Sequence, residues 1–106
     1  MTEEHRIQNE IRMELAPYCV LFRVNVGAAY TKDGRYLSTG VPAGFSDLFG
    51  FRFSDGRAVF IEVKAAKGRV SAKQRNFINK MREYGAIAGV CRDVTDARIL
   101  IKASLS

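Results

Sequence analysis

Apolar residues recur at Ile7, Ile11 and Leu15 with polar residues between them, which is the period of a helix burying one stripe. The pattern predicts a helix over residues 3–16, with Thr2 able to cap it and Glu3 and Glu4 at the positive end of its dipole. Pro17 ends it. Residues 18–26, Tyr-Cys-Val-Leu-Phe-Arg-Val-Asn-Val, are β-branched and aromatic and predict a strand. Residues 27–44 break the pattern with four glycines, Pro42 and the turn signal Lys32-Asp33-Gly34-Arg35. They read as a connection long enough to carry function or meet a partner. Two apolar runs, 45–53 and 57–65, flank Ser54-Asp55-Gly56-Arg57 and predict a hairpin. Ser71 suits the N-cap of a helix reaching about Tyr84, with Phe77, Ile78 and Met81 on its apolar side and Gly85 as C-cap. Residues 86–92 form a short, wholly apolar strand of the kind buried on both faces. A closing helix over 94–102 follows, with Asp93 or Thr95 near its start. The order α-β-β-β-α-β-α gives an α/β fold, a mixed sheet with helices packed on it.

Composition narrows the class. A chain of 106 residues supports one core, so a single domain over 1–106 is expected. No apolar run approaches the roughly 18 residues of a membrane helix, and Met-Thr-Glu-Glu-His is unlike a signal peptide. The expected location is the cytoplasm. Cys19 and Cys91 each sit in an apolar run and read as buried free thiols. With one His and two scattered Cys, a structural zinc site is not expected, so any metal must be held by oxygen.

Charge changes the picture more. The net charge of +6 and pI near 9.7 favour a polyanionic partner. From Val63 to Arg82 there is no acid, while Lys64, Lys67, Arg69, Lys73, Arg75, Lys80 and Arg82 all fall there. Such a one-sign run reads as a phosphate-tracking surface, with a merely solubilising helix face as the alternative. Tyr30, Lys32, Arg35 and Tyr36 mix cations with aromatics, which suits either nucleic acid or a subunit contact.

The candidate chemistry lies in the hairpin. Side chains alternate along a strand, so Glu62 and Lys64 share a face that Ile61 and Val63 avoid. Charges at the end of a buried strand are costly unless they have partners or work. Asp47 near the start of one strand and Glu62 near the end of the next can meet across the pair, and the backbone carbonyl of Val63 adds a third oxygen. That set suits magnesium or manganese, whose charge would relieve the repulsion between the acids. Lys64 can position an attacking water or stabilise a pentacoordinate phosphorane. On the first helix Glu4 falls within the apolar stripe with Gln8, whereas Glu10 lies roughly 100° from its centre. An acid at that margin is either at a frayed end or pointing into a site. His5 falls on the opposite, solvated face.

These residues resemble the VRR-NUC (virus-type replication-repair nuclease) domain, a branch of the PD-(D/E)xK phosphodiesterases. The resemblance spans nearly the whole chain: a first-helix acid with Gln-x-x-Ile, Phe-Arg-x-Asn, Gly44-Phe45-Ser46-Asp47-Leu48, Ile61-Glu62-Val63-Lys64, Lys67 through Gln74, and Tyr84-Gly85-Ala86. It implies a restriction-endonuclease-like αβββαβ core, a magnesium or manganese requirement and cleavage of DNA. Asp47, Glu62 and Lys64 would be the catalytic trio, Gln74 would sit near the site, and the first-helix acid maps to Glu4. Lys67, Arg69, Lys73 and Arg75, with Lys32 and Arg35 of the long connection, would contact DNA. Ser46 stands where the superfamily usually has proline. Compact members of this kind resemble homodimeric, structure-specific endonucleases acting on junctions, forks or flaps in DNA repair, in a bacterial or phage-infected cell. A non-catalytic nucleic-acid-binding module, or a subunit of a larger repair or packaging complex, is the alternative.

Overall fold

The computed structural model describes residues 1–26, 28–38 and 40–103, so Gly27 and Thr39 of the expected long connection lie outside the described residues. Helix α1 (Glu3–Leu15) is capped by the Thr2 hydroxyl, which accepts the His5 N–H at 3.1 Å. The predicted stripe is the buried one: Ile7, Ile11 and Leu15, with Gln8 beside them. Strands β1 (Cys19–Arg23), β4 (Leu48–Arg52), β5 (Ala58–Val63) and β6 (Ile87–Cys91) form one sheet in the order β1-β4-β5-β6. The first two pairings are antiparallel and β5–β6 is parallel, with α2 (Ala72–Glu83) as the crossover. Helix α3 (Val94–Ala103) closes the order. A mixed four-stranded sheet with three helices is consistent with a restriction-endonuclease-like core.

The sheet has two unlike faces. Leu21, Leu48, Val59, Ile61, Val63 and Ile87 pack with α1 and α3 residues into the main core. On the other face Phe60, Ala88 and Ile78 form a smaller cluster, with Phe45, Phe77 and Met81 packed against it. Strand β6 lies between the helices and its Ile87, Ala88 and Cys91 are buried, as its unbroken apolar run predicted. Both cysteines are free and buried, and burial pushes the Cys91 thiol up to about 12. Among the described residues, no helix is long and apolar enough to cross a membrane.

The long connection differs from the sequence expectation. Its described part contains β2 (Ala28–Tyr30) and β3 (Tyr36–Ser38), an antiparallel hairpin forming a sheet of its own. The turn signal at 32–35 is the hairpin's turn, with Thr31 N–H bonded to Arg35 O at 2.7 Å. Strands of three residues leave too short an apolar alternation to stand out in sequence.

Candidate active site

The geometry begins with Gly44. Its φ of +94° belongs to the left-handed region, and a Cβ there would lie 2.7 Å from the Lys73 carbonyl oxygen. Glycine therefore lets the segment before β4 run against the start of α2. Phe45 follows, its ring 4.7 Å from Phe77 and 5.7 Å from Phe60, which fixes the approach to the sheet. Asp47 then stands just before β4, one position beyond the Leu48–Ile61 pair, and so faces Glu62. Its backbone carbonyl accepts the Val24 N–H at 2.8 Å, and its Oδ2 accepts the Val63 N–H at 2.8 Å. Because N–H and C=O of one residue leave a strand on the same edge, the Val63 carbonyl faces the Asp47 side.

Glu62 is 2% exposed, on the face covered by α2. Its Oε1 accepts the Gln74 Nε2–H at 2.9 Å and lies 3.8 Å from Lys64 Nζ. Its Oε2 is buried without a hydrogen-bond partner. Gln74 is held at its other end, where Oε1 accepts the Ser71 N–H at 2.9 Å while the Ser71 hydroxyl accepts the Gln74 N–H at 3.1 Å. This capping box turns a helix start into a bracket for a buried carboxyl. The Ser-x-x-Gln spacing carries that signal; Ser71 was expected as the cap and Gln74 near the site, but not the bond between them that links the two roles.

Burial first, then the charge of Asp47 against it, push the Glu62 carboxyl up to about 8; Lys64 pulls it down. Two crowded carboxyls and an orphaned buried oxygen form a set of hard oxygen donors, which fits magnesium or manganese. Among the described residues, no three His, Cys, Asp or Glu side chains group closely enough to hold a metal ion. Glu4 therefore stands at the margin: its Oε2 accepts the Ala65 N–H at 3.4 Å, just past the end of β5. Glu10 points elsewhere, paired with Arg6 at 2.6 Å. His5 is half-buried rather than solvated, with Arg23 Nη2 3.1 Å from its Nε2.

The cations divide. Lys67, Arg69, Lys73 and Arg75 are exposed, on the turn after β5 and the first turns of α2. Farther along α2, Lys80 pairs with Glu83 at 3.6 Å and Arg82 Nε donates to Ala88 O at 2.7 Å, so those two serve the fold. Lys32 and Arg35 occupy the hairpin turn, with Arg35 paired to Asp33 at 3.0 Å. Arg92 escaped the sequence reading. Its Nη1 donates to the carbonyls of Ala65 (2.6 Å), Ala66 (3.3 Å) and Gly68 (2.9 Å), clamping the basic turn that follows Lys64. The cleft between α1 and β1, lined by Asn9, Arg12, Met13 and Leu21, contains no carboxylate and lies apart from this cluster.

The model of the VRR-NUC domain matches residues 2–94, and the chain belongs to that family. No curated protein matches the chain. Family membership implies a PD-(D/E)xK-type nuclease, a phosphodiesterase class that acts on DNA and generally uses divalent metals.

Proposed function

We propose that this VRR-NUC chain is a magnesium- or manganese-dependent DNA endonuclease whose catalytic residues are Asp47, Glu62, Lys64 and Gln74. The observation that carries the reading is the Glu62 carboxyl, buried against Asp47 with one oxygen unpartnered and the other bracketed by Gln74 and Lys64. A structural carboxyl at that depth would have both oxygens satisfied.

Asp47, Glu62 and the Val63 carbonyl would hold the cation, with Glu4 at the margin of the set. When bound, such an ion supplies a water of lowered pKa and neutralises charge at the phosphate. Gln74 fixes the orientation of Glu62, so the carboxyl needs little reorganisation. Lys64 places an ammonium beside the acids, where it can orient the attacking water and stabilise negative charge growing on the phosphoryl oxygens. Lys67, Arg69, Lys73 and Arg75 would hold the flanking phosphates, and the start of α2 adds the positive end of its dipole. Lys32 and Arg35 would contact DNA farther out. The family resemblance supports branched DNA as the preferred substrate, a homodimer, and a DNA-repair setting in a bacterial or phage-infected cell.

The test is cleavage of labelled duplex, flap, fork and four-way-junction DNA with magnesium or manganese. Cleavage favouring branched substrates is expected, lowered by about 10²–10³-fold in Lys64→Ala with DNA binding retained. Binding without cleavage of any substrate, with either metal, overturns the enzyme in favour of a non-catalytic binding module.

A further inference from the structure

The face of the sheet that carries Asp47 and Glu62 is only half covered. Helix α2 lies over β5 and β6, packing on Phe60 and Ala88, and leaves the β1–β4 half open. Alternation from the buried Leu48 puts Asp47, Phe49 and Phe51 on that open face, and register sets Phe22 opposite Phe49. Phe22 is 55% exposed, Phe49 37% and Phe51 46%. A row of phenylalanines therefore runs away from the site, reaching Phe51 about 13 Å from Asp47 at ~3.3 Å per residue. Single exposed phenylalanines are ordinary, but a contiguous row that begins at a pair of carboxylates is not.

Cations border this row at its site end. Gly44 runs against the Lys73 backbone, and Phe45 touches both Phe77 of α2 and Phe49 of the row, at 4.7 and 6.1 Å. The basic start of α2 is thus joined to the row through one aromatic side chain. The chain leaves β1 through Val24, whose N–H is bonded to the Asp47 carbonyl, and comes back at Gly44. The β2–β3 hairpin, with Lys32 and Arg35 exposed in its turn, therefore rises from the same end. The row itself carries no cation, and Val20 and Val24 beside it are apolar too.

We propose that unpaired bases of the substrate strand stack on Phe22, Phe49 and Phe51 while that strand's phosphate lies at the Asp47–Glu62 site. The inference rests on the proposed nuclease reading for where the strand runs, and it adds that the strand is single along the row. Charge selects this occupant. A net charge of +6, with cations grouped where the row begins, draws a polyanion to that end. A duplex laid along the row would bring its phosphates onto a surface with no cation to meet them. A single strand can turn those phosphates out to water and its bases inward, since every base has a π-face to set against a phenyl ring. The row has room for about two or three bases, the number that aromatics on a sheet face hold in other nucleic-acid binders. Flaps and forks, whose arms have unpaired bases, are then the branched substrates that fit. A fully paired four-way junction must melt first.

Fluorescence anisotropy in chelator tests this with three labelled probes: a thymidine homopolymer, an abasic strand of equal length and charge, and a duplex. Wild type is expected to bind the homopolymer roughly tenfold or more tighter than the abasic strand. The Phe22→Ser/Phe51→Ser variant should lose that preference and keep its duplex affinity, because a duplex does not meet the row. Both side chains are exposed, so its circular dichroism spectrum should be unchanged. Phe22→Trp/Phe51→Trp should keep the preference, because an indole stacks as a phenyl ring does. Equal binding of base-bearing and abasic strands by wild type overturns the proposal, and so does a serine variant that keeps the preference. A wild-type dimer that the serine variant dissociates, with no base preference in either, assigns the row to a second copy and overturns it too. No strand is cut without metal, so the two readings fail separately. A chain that shows the base preference but cleaves nothing once metal is added loses the nuclease reading alone. One that cleaves without the preference loses this inference alone.

Discussion

Two charged side chains on neighbouring strands are each 2% exposed, and the protein treats them in opposite ways. Arg52 at the end of β4 is satisfied. Its Nε and Nη2 donate to the two carboxylate oxygens of Asp55 at 3.1 and 2.5 Å, and its Nη1 donates to Ile101 O at 2.7 Å, joining the hairpin turn to the last turn of α3. Glu62 near the end of β5 has one oxygen without a partner and a second acid against it. Burial of a charge is costly in both places. At Arg52 the protein offsets that cost with its own groups, so the charge is structural. At Glu62 the cost stands until a cation or a proton arrives, which is the electrostatic signature of a site.

The sharpest way to break this contrast is through activity. Glu62→Gln and Lys64→Ala are expected to lower cleavage by about 10²–10³-fold each, measured on the preferred branched substrate. Arg52→Gln should leave cleavage per folded molecule intact at low temperature. Cleavage lost equally in all three variants would erase the distinction.

Stability should move the other way. Arg52→Gln is expected to lower the melting temperature by roughly 10 °C, because it strands the Ile101 carbonyl and frees Asp55. In chelator above about pH 8, where Glu62 is ionised, Glu62→Gln should instead raise it, since a neutral amide removes the clash with Asp47. A Glu62→Gln protein less stable than wild type under those conditions would mean that this carboxyl is structural after all.

The pH dependence separates the same two groups. Glu62 is raised from its ordinary 4.5 to about 8, so between those values the folded chain keeps a proton that the unfolded chain has released. Metal-free stability should therefore fall as pH rises through that window, and Glu62→Gln should flatten the fall. Asp55 is lowered from 3.8 to about 2 by its bonds to Arg52, so its contribution is present above 3.8 and lost as pH falls towards 2. Asp55→Asn should remove that acid-side loss. Thermal melts at a series of pH values in chelator check both signs.

The smallest effect expected is at the surface. Lys67→Ala or Lys73→Ala should weaken DNA binding and reduce its salt slope by about one unit, read by titrations at several salt concentrations. Lys80→Ala, already paired with Glu83, should leave the slope unchanged.

Much of this was legible in the chain. The stripe of α1, the caps at Thr2 and Ser71, the central hairpin and the apolar β6 all follow from local periodicity and turn chemistry, which act over a few residues. Alternation alone put Glu62 and Lys64 on one face. The β2–β3 hairpin stayed hidden because its strands are too short to show a period. The structural roles of Arg52, Arg82 and Arg92 stayed hidden because each donates to a main-chain carbonyl that sequence cannot bring near, Arg82 having read as part of the phosphate-tracking run.

The amino-acid sequence by itself determined which residues could do chemistry, since a hard-metal site needs acids and a lysine, and few lie in apolar strands here. Only the tertiary structure decided how they work together. It set Asp47 against Glu62, brought Glu4 rather than Glu10 to the end of β5, and hung Gln74 from a helix cap onto Glu62. Those outcomes depend on strand register and helix docking, where contacts between residues distant in the chain set the dielectric and the partners of each charge.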